Sequence, residues 1–217
     1  MNKMNEMNNN NNLEVLAIFP VAIHISKYDG DISEEFNFIK NITYVPNGNN
    51  GNFRSVNTFI LKSKEMEKIN EFILKQLNIY TKKILLSDNT VAPTISWTNK
   101  NPKGSRHHEH SHPNSILSGV FYFSINESAP IQFHKNEHGG MQLDYSKYND
   151  WNNGMYATNM NVGELVLFPS TVRHSVPLNA SEETRYSLSF NTFINSTIGS
   201  TSKLTYLNLR EIYNAST

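Results

Sequence analysis

After Pro93 the chain becomes a succession of short runs with strand chemistry, and this constrains its fold more than any other feature. The runs are residues 94–98, 116–125, 131–134, 141–145, 156–162, 164–168, 172–177 and 185–193, divided by glycine, proline and asparagine. Many short strands with turn signals between them suggest a sandwich, a barrel or a jelly roll. Helical patterning is confined to the first half. Ile32, Phe36 and Ile39 recur at helical spacing within residues 31–42. Met66, Ile69, Ile73, Leu77, Tyr80 and Ile84 form one stripe within residues 63–85, which reads as a face packed on a sheet. Residues 13–25 are apolar and β-branched with Pro20 inside, so an edge strand or two short strands are expected there. Residues 47–52 are all asparagine and glycine and predict a loop.

Composition narrows the function classes. The chain has 217 residues, enough for one domain with a sizeable core. It has no cysteine, which excludes disulfides, thiolate ligands and cysteine nucleophiles and agrees with a reducing compartment. Lysine plus arginine and aspartate plus glutamate number 19 each. That balance gives no electrostatic argument for nucleic acid or an anionic membrane as a partner. No apolar run reaches the length of a bilayer span. The opening MNKMNEMNNNNNLEV has no apolar segment before Leu13 and is not a secretory signal, so a cytoplasmic location is expected. Residues 1–12, with asparagine at every position from 8 to 12, are expected to be a disordered tail.

The chemistry concentrates in HHEHSHPNS, residues 107–115. His107, His108, His110 and His112 are half of the chain's 8 histidines. Residues 108–112 also match the zinc-protease motif H-E-x-x-H, which works only on a helix, where residues four apart share a face. The flanks oppose a helix. Asn101-Pro102-Lys103-Gly104 precedes the segment, and Pro113 biases His112 toward extended backbone. On a strand, side chains alternate, so His108, His110 and His112 would face one way. Two imidazoles two residues apart can grip one metal ion, but a third ligand must come from elsewhere. The candidates are His24, His134, His138 and His174. His174 has the most telling context, because a strand over 164–168, a proline turn and a second strand would return its imidazole to the first pair.

A histidine-x-histidine pair, a gap of about sixty residues, then G-x-x-x-x-FP-x-x-x-x-H is similar to the double-stranded β-helix of cupins and iron/2-oxoglutarate oxygenases. Arg185, which opens Arg185-Tyr186-Ser187, favours the oxygenases. In them an arginine at about this offset, often with that serine, holds the distal carboxylate of 2-oxoglutarate. The glutamate that the cupin pattern wants after the histidine pair is missing from residues 114–117. The closer resemblance is to a family of 2-oxoglutarate/iron(II) oxygenases of phages and aquatic bacteria. Its pattern is W-x-N, H-x-HPNS-x-x-SGV-x-Y, G-x-x-x-x-FPS-x-x-x-H-x-V and R-x-S-x-x-FN. Trp97 and Asn99 match the first part, and His110 to Ser115 with Ser118, Gly119, Val120 and Tyr122 match the second. Phe168-Pro169-Ser170 with His174 and Val176, then Arg185, Ser187, Phe190 and Asn191, complete it. The resemblance covers roughly residues 95–191.

This resemblance implies an α+β, mainly β fold: a double-stranded β-helix, or jelly roll, with N-terminal bracing helices. Residues 13–217 would form one domain, with a helical brace over 31–86 and a metal-binding core over 93–193. The implied cofactors are iron(II), on His110, His112 and His174, and 2-oxoglutarate, on Arg185 and Ser187 with Asn99, Asn114 and Tyr122 in support. No catalytic residue is expected beyond the metal site. His112 stands where most such enzymes have a carboxylate, which leaves the centre one unit more positive. His107 and His108 are expected in a loop at the mouth, and His107-x-Glu109 is a lesser candidate pair. Trp97 and Tyr122 also suit a core or pocket wall, and turn duty would explain Asn114. The implied function is a dioxygenase coupling 2-oxoglutarate decarboxylation to C–H oxidation, a hydroxylase whose substrate the sequence does not name. A cupin-like metal enzyme without 2-oxoglutarate and a non-catalytic jelly-roll module remain open. Residues 134–159, with Trp151 and several tyrosines, occupy an ordinary place for substrate-gripping insertions in this fold.

Overall fold

A computed structural model describes residues 15–125, 129–135 and 143–210. The elements run β1 (His24–Lys27), α1 (Ser33–Asn41), β2 (Tyr44–Pro46), β3 (Phe53–Ser55), α2 (Glu67–Ile79), β4 (Val91–Asn101), β5 (His107–His110) and β6 (Leu117–Tyr122). They continue with β7 (Ile131–His134), β8 (Met155–Thr158), β9 (Glu164–Pro169), β10 (Arg173–Val176) and β11 (Arg185–Ile194). The chain is mainly β with few helices. A 7-stranded sheet has the order β1-β9-β6-β11-β4-β3-β2, and a 4-stranded sheet has the order β5-β10-β7-β8. All pairs within them are antiparallel. From β4 onward the chain passes back and forth. β4, β6, β9 and β11 lie in the larger sheet, and β5, β7, β8 and β10 in the smaller.

The two sheets bury a core between them. Val120, Tyr122, Val166 and Phe168 of the larger sheet meet Ile131 and Phe133 of the smaller. The rings of Phe133 and Phe168 pack edge to face at 5.2 Å. The opposite face of the larger sheet packs on the helices. Met66, Ile69, Ile73, Leu77 and Tyr80 are fully buried there, against Phe121, Leu165, Leu167, Leu188 and Phe190. Burial of each such aliphatic side chain contributes about 1.5–3 kcal/mol. Ile84, expected on the same stripe, is 39% exposed. The helix ends in a wider π-type turn over Tyr80–Ile84, which rotates its last residues off the buried face. Gly119 lies on the same side. A Cβ there would stand 2.2 Å from the Phe190 ring and 2.7 Å from Leu167, so a larger residue must displace those buried side chains.

Some expectations need correction. Residues 15–23 form no strand, and the edge strand β1 begins only at His24. Val15, Leu16, Ile18, Phe19 and Val21 are all exposed, and of this run only Ala22 and Ile23 pack against the cores. Pro20 also lacks the N–H that a ladder needs. Residues 143–145 form no strand, while the rest of the expected run at 141–145, the tail at 1–12 and His138 lie outside the described residues. Among the described residues, no helix is long and apolar enough to cross a membrane.

Candidate metal centre

Register across the larger sheet builds the floor of the site. Residues directly opposite in neighbouring antiparallel strands share a face. Arg185 stands opposite Asn101, Ser187 between Asn99 and Tyr122, Ser189 between Trp97 and Val120, and Asn191 between Ile95 and Ser118. Alternation along β11 therefore carries Arg185, Ser187, Ser189 and Asn191 inward together. A pocket opens on this floor, with His107, His110, His112 and His174 on its other side.

The smaller sheet brings in the histidines. His174 of β10 pairs with His110 of β5, but Val176 pairs with His107, so β5 holds one more residue than its partner over this stretch. This bulge puts His107 and His110 on the same face, although they are three residues apart. Their rings stack at 4.5 Å. The expected placement of His107 in a loop is thus corrected: it sits on β5 and lines the cavity. His108, expected to share a face with His110, is exposed instead, with its Nδ1 3.1 Å from Asn50 Nδ2.

His110, His112 and His174 each bring a ligand atom to within 4.8 Å of the other two. His112 Nε2 lies 3.3 Å from His174 Nε2. His110 Nδ1 lies 2.8 Å from the His108 carbonyl, and His174 Nδ1 lies 3.1 Å from the Val172 carbonyl. A carbonyl only accepts, so both rings carry their proton on Nδ1 and keep the Nε2 lone pair free. Burial pushes all three imidazoles below the usual histidine range, to about 4 for His112 and about 3 for His174, with neighbouring histidines adding to the effect. They are neutral at neutral pH, the form that binds metal. Three converging neutral nitrogen donors suit a divalent transition metal.

Opposite the histidines stands Arg185, only 4% exposed. No ion pair joins it to a carboxylate among the described residues. Its guanidinium carbon lies 5.0 Å from the centre of the Tyr122 ring, a cation–π contact. The Tyr122 hydroxyl and Asn99 Oδ1 are buried without a hydrogen-bond partner. Burial raises the Tyr122 pKa, which keeps the phenol protonated as a donor. Ser187 is buried beside them and lines the same cavity. Asn114 does not join this group. It is exposed at φ +57°, in the tight turn after Pro113, where left-handed backbone favours asparagine.

The other candidates lie elsewhere. Glu109 binds Arg173 on the outer surface, with His134 3.8 Å from it. His24 bonds to Gln76 at 3.1 Å beside α2. Trp97 packs on His112 at 5.9 Å and forms part of the cavity wall.

Residues 95–191, the segment that holds the three histidines and Arg185, match the model of a family described as "Putative 2OG-Fe(II) oxygenase". With this match, the class is that of oxygenases dependent on iron(II) and 2-oxoglutarate, and the chain is an enzyme of that class. No curated protein sequence matches it. Solved structures are similar in fold. HygX from Streptomyces hygroscopicus, with nickel, 2-oxoglutarate and hygromycin B bound, is 9% identical with a TM-score of 0.59, covering 79% of this chain and 82% of that one. The epimerase SnoN from nogalamycin biosynthesis, described as non-heme and alpha-ketoglutarate-dependent, is 12% identical with a TM-score of 0.60, covering 82% and 81%. A Pseudomonas putida prolyl-4-hydroxylase is 11% identical with a TM-score of 0.54, covering 78% and 91%.

Proposed function

We propose that His110, His112 and His174 hold the iron(II), that Arg185 holds the distal carboxylate of 2-oxoglutarate, and that the enzyme is a hydroxylase. The observation that carries this reading is Arg185: a buried guanidinium with no carboxylate partner among the described residues, facing the cavity of three converging imidazoles. A buried charge needs a partner, and a planar fork matches a carboxylate through two parallel hydrogen bonds. When bound, iron(II) and 2-oxoglutarate supply the oxidising chemistry: dioxygen is consumed, 2-oxoglutarate becomes succinate and carbon dioxide, and a substrate C–H bond becomes C–OH.

The chain's own residues supply position and dryness. The carbonyls of His108 and Val172 orient His110 and His174. Arg185, Ser187 and the Tyr122 hydroxyl offer donors to the carboxylate, and the Tyr122 ring braces the guanidinium. Phe168 packs on His174 at 4.7 Å and helps to exclude water. The back-and-forth course of β4 to β11 between two sheets supports a double-stranded β-helix, the architecture in which a histidine-x-histidine pair and a later histidine would meet at one end. Trp151, Tyr148 and Tyr156 are exposed and offer a surface for substrate. A cytoplasmic site of action fits this chemistry.

The test is anaerobic iron(II) loading followed by admission of air with and without 2-oxoglutarate. Succinate release and oxygen consumption that both require iron and 2-oxoglutarate are expected. Oxygen consumption without 2-oxoglutarate would instead support a cupin-like enzyme, to which three histidine ligands are also suited.

A further inference from the structure

Four polar residues of the signature, Asn191, Ser118, Ser170 and Ser115, form one hydrogen-bonded chain that ends on His112. Asn191 Nδ2 is placed 3.4 Å from His112 Nδ1 and Asn191 Oδ1 2.9 Å from Ser118 Oγ, and a half-turn of the amide exchanges these two nearly isosteric atoms without moving anything else. Ser118 Oγ is 2.8 Å from Ser170 Oγ, which is 2.7 Å from Ser115 Oγ, which is 3.1 Å from the Leu117 carbonyl. Ser118 and Ser170 are 1% and 0% exposed, so water does not substitute for a missing link. The backbone closes around the chain: the His112 N–H donates to the Ser170 carbonyl at 2.9 Å, and the Ser170 N–H to the Ile116 carbonyl at 3.1 Å.

His110 and His174 lean on carbonyls, which accept and never donate. His112 leans on an amide, which can do either. To bind metal through Nε2, His112 must carry its proton on Nδ1, and that proton needs an acceptor. We propose that Asn191 is the positioning residue that fixes His112 in the metal-binding tautomer, by presenting its side-chain oxygen to Nδ1–H. This rests on the metal-centre reading above. It also fixes the direction of the whole chain. The Asn191 NH₂ then donates to Ser118, Ser118 to Ser170, Ser170 to Ser115 and Ser115 to the Leu117 carbonyl, because each hydroxyl has one proton to give. With the amide turned round, Ser118 gives its proton to the Asn191 oxygen, and the Asn191 NH₂ donates to His112 Nδ1. The His112 proton then sits on Nε2, facing His174 Nε2 at 3.3 Å, and the ligand lone pair is lost. The amide thus has two orientations, and one of them suits a metal.

Cobalt(II) titration of the full chain, followed by d–d absorption without oxygen, tests this. Asn191→Leu leaves Nδ1–H without an acceptor and should weaken cobalt binding about 10- to 100-fold, the usual effect of losing a group that orients a metal-bound histidine. Asn191→Asp keeps an acceptor toward His112 and should bind at least as tightly as wild type. Proton-detected nitrogen correlation spectra of the zinc(II)-loaded wild type should show His112 protonated at Nδ1, a readout that needs no variant. Equal affinity of Asn191→Leu and wild type, equal loss in Asn191→Asp and Asn191→Leu at matched melting temperature, or a His112 proton on Nε2 in the loaded protein would each overturn the role of Asn191. A wild type that binds no cobalt would overturn the metal centre itself, and the inference with it.

Discussion

His107 and His110 stack with ring centroids 4.5 Å apart, across a spacing that a regular strand would split between two faces. The bulge in β5 joins them. His107 is not within the group of three that could share a metal, yet it lines the same cavity as Arg185, whose charge it feels. Burial, then the neighbouring histidines, push its pKa down to about 3, so it enters the cavity as a neutral hydrogen-bonding group. His107→Ala should therefore keep its iron and lose affinity for 2-oxoglutarate. One hydrogen bond to a charged group contributes about 1.5–3 kcal/mol, which corresponds to roughly 10- to 100-fold. Titration of 2-oxoglutarate at fixed metal content measures this, and loss of the metal instead would make His107 a ligand.

The metal reading fixes which histidines matter. His110→Ala, His112→Ala and His174→Ala should each lose iron, measured by metal content after gel filtration. His108→Ala and Glu109→Gln should retain it, because His108 meets Asn50 and Glu109 meets Arg173 outside the cavity. A site emptied by His108→Ala but not by His110→Ala would show that the ligand register is wrong.

The sequence made legible what depends on local periodicity. The stripe from Met66 to Tyr80 is buried, and Arg185 and Ser187 share a face because they stand two positions apart on one strand. His174 returned to His110 as the two-strand context suggested. The position of His107 was not legible, because a bulge is set by the partner strand and leaves no mark in HHEHSHPNS. Nor was the Asn191 chain, which joins residues up to 79 positions apart through register in two sheets. Asn114 carried both a turn reading and a binding reading in the sequence, and the tight turn after Pro113 takes it away from the cavity.

Acid should destabilise the fold through these same histidines. On unfolding, His107, His112 and His174 return toward their ordinary value of 6.5 from folded values of about 3 to 4. Between those limits the unfolded chain binds more protons than the folded one, so stability rises with pH there. The contribution is complete above pH 6.5 and is lost progressively as pH falls toward the folded values. Melting temperature with a chelator present should fall as pH drops from 7 to 4, and His174→Leu should show a shallower fall. An equally steep fall in that variant would place the acid sensitivity elsewhere.

Arg185 most clearly separates a 2-oxoglutarate enzyme from a plain metal-binding jelly roll. Its guanidinium is buried over Tyr122, beside Ser187, and lines the same cavity as the three histidines. Removing one partner of a buried, hydrogen-bonded charge pair costs about 2–5 kcal/mol, and at about 1.4 kcal/mol per tenfold this is a loss of roughly 30- to several-thousand-fold in cosubstrate affinity. Arg185→Ala should keep its iron and need that much more 2-oxoglutarate to release succinate. Arg185→Lys should fall between, since lysine keeps the charge but loses the fork. Succinate release against 2-oxoglutarate concentration, at equal metal occupancy, gives the ratio directly. If Arg185→Ala uses 2-oxoglutarate as well as wild type, the carboxylate is held elsewhere and Arg185 serves only to brace the wall.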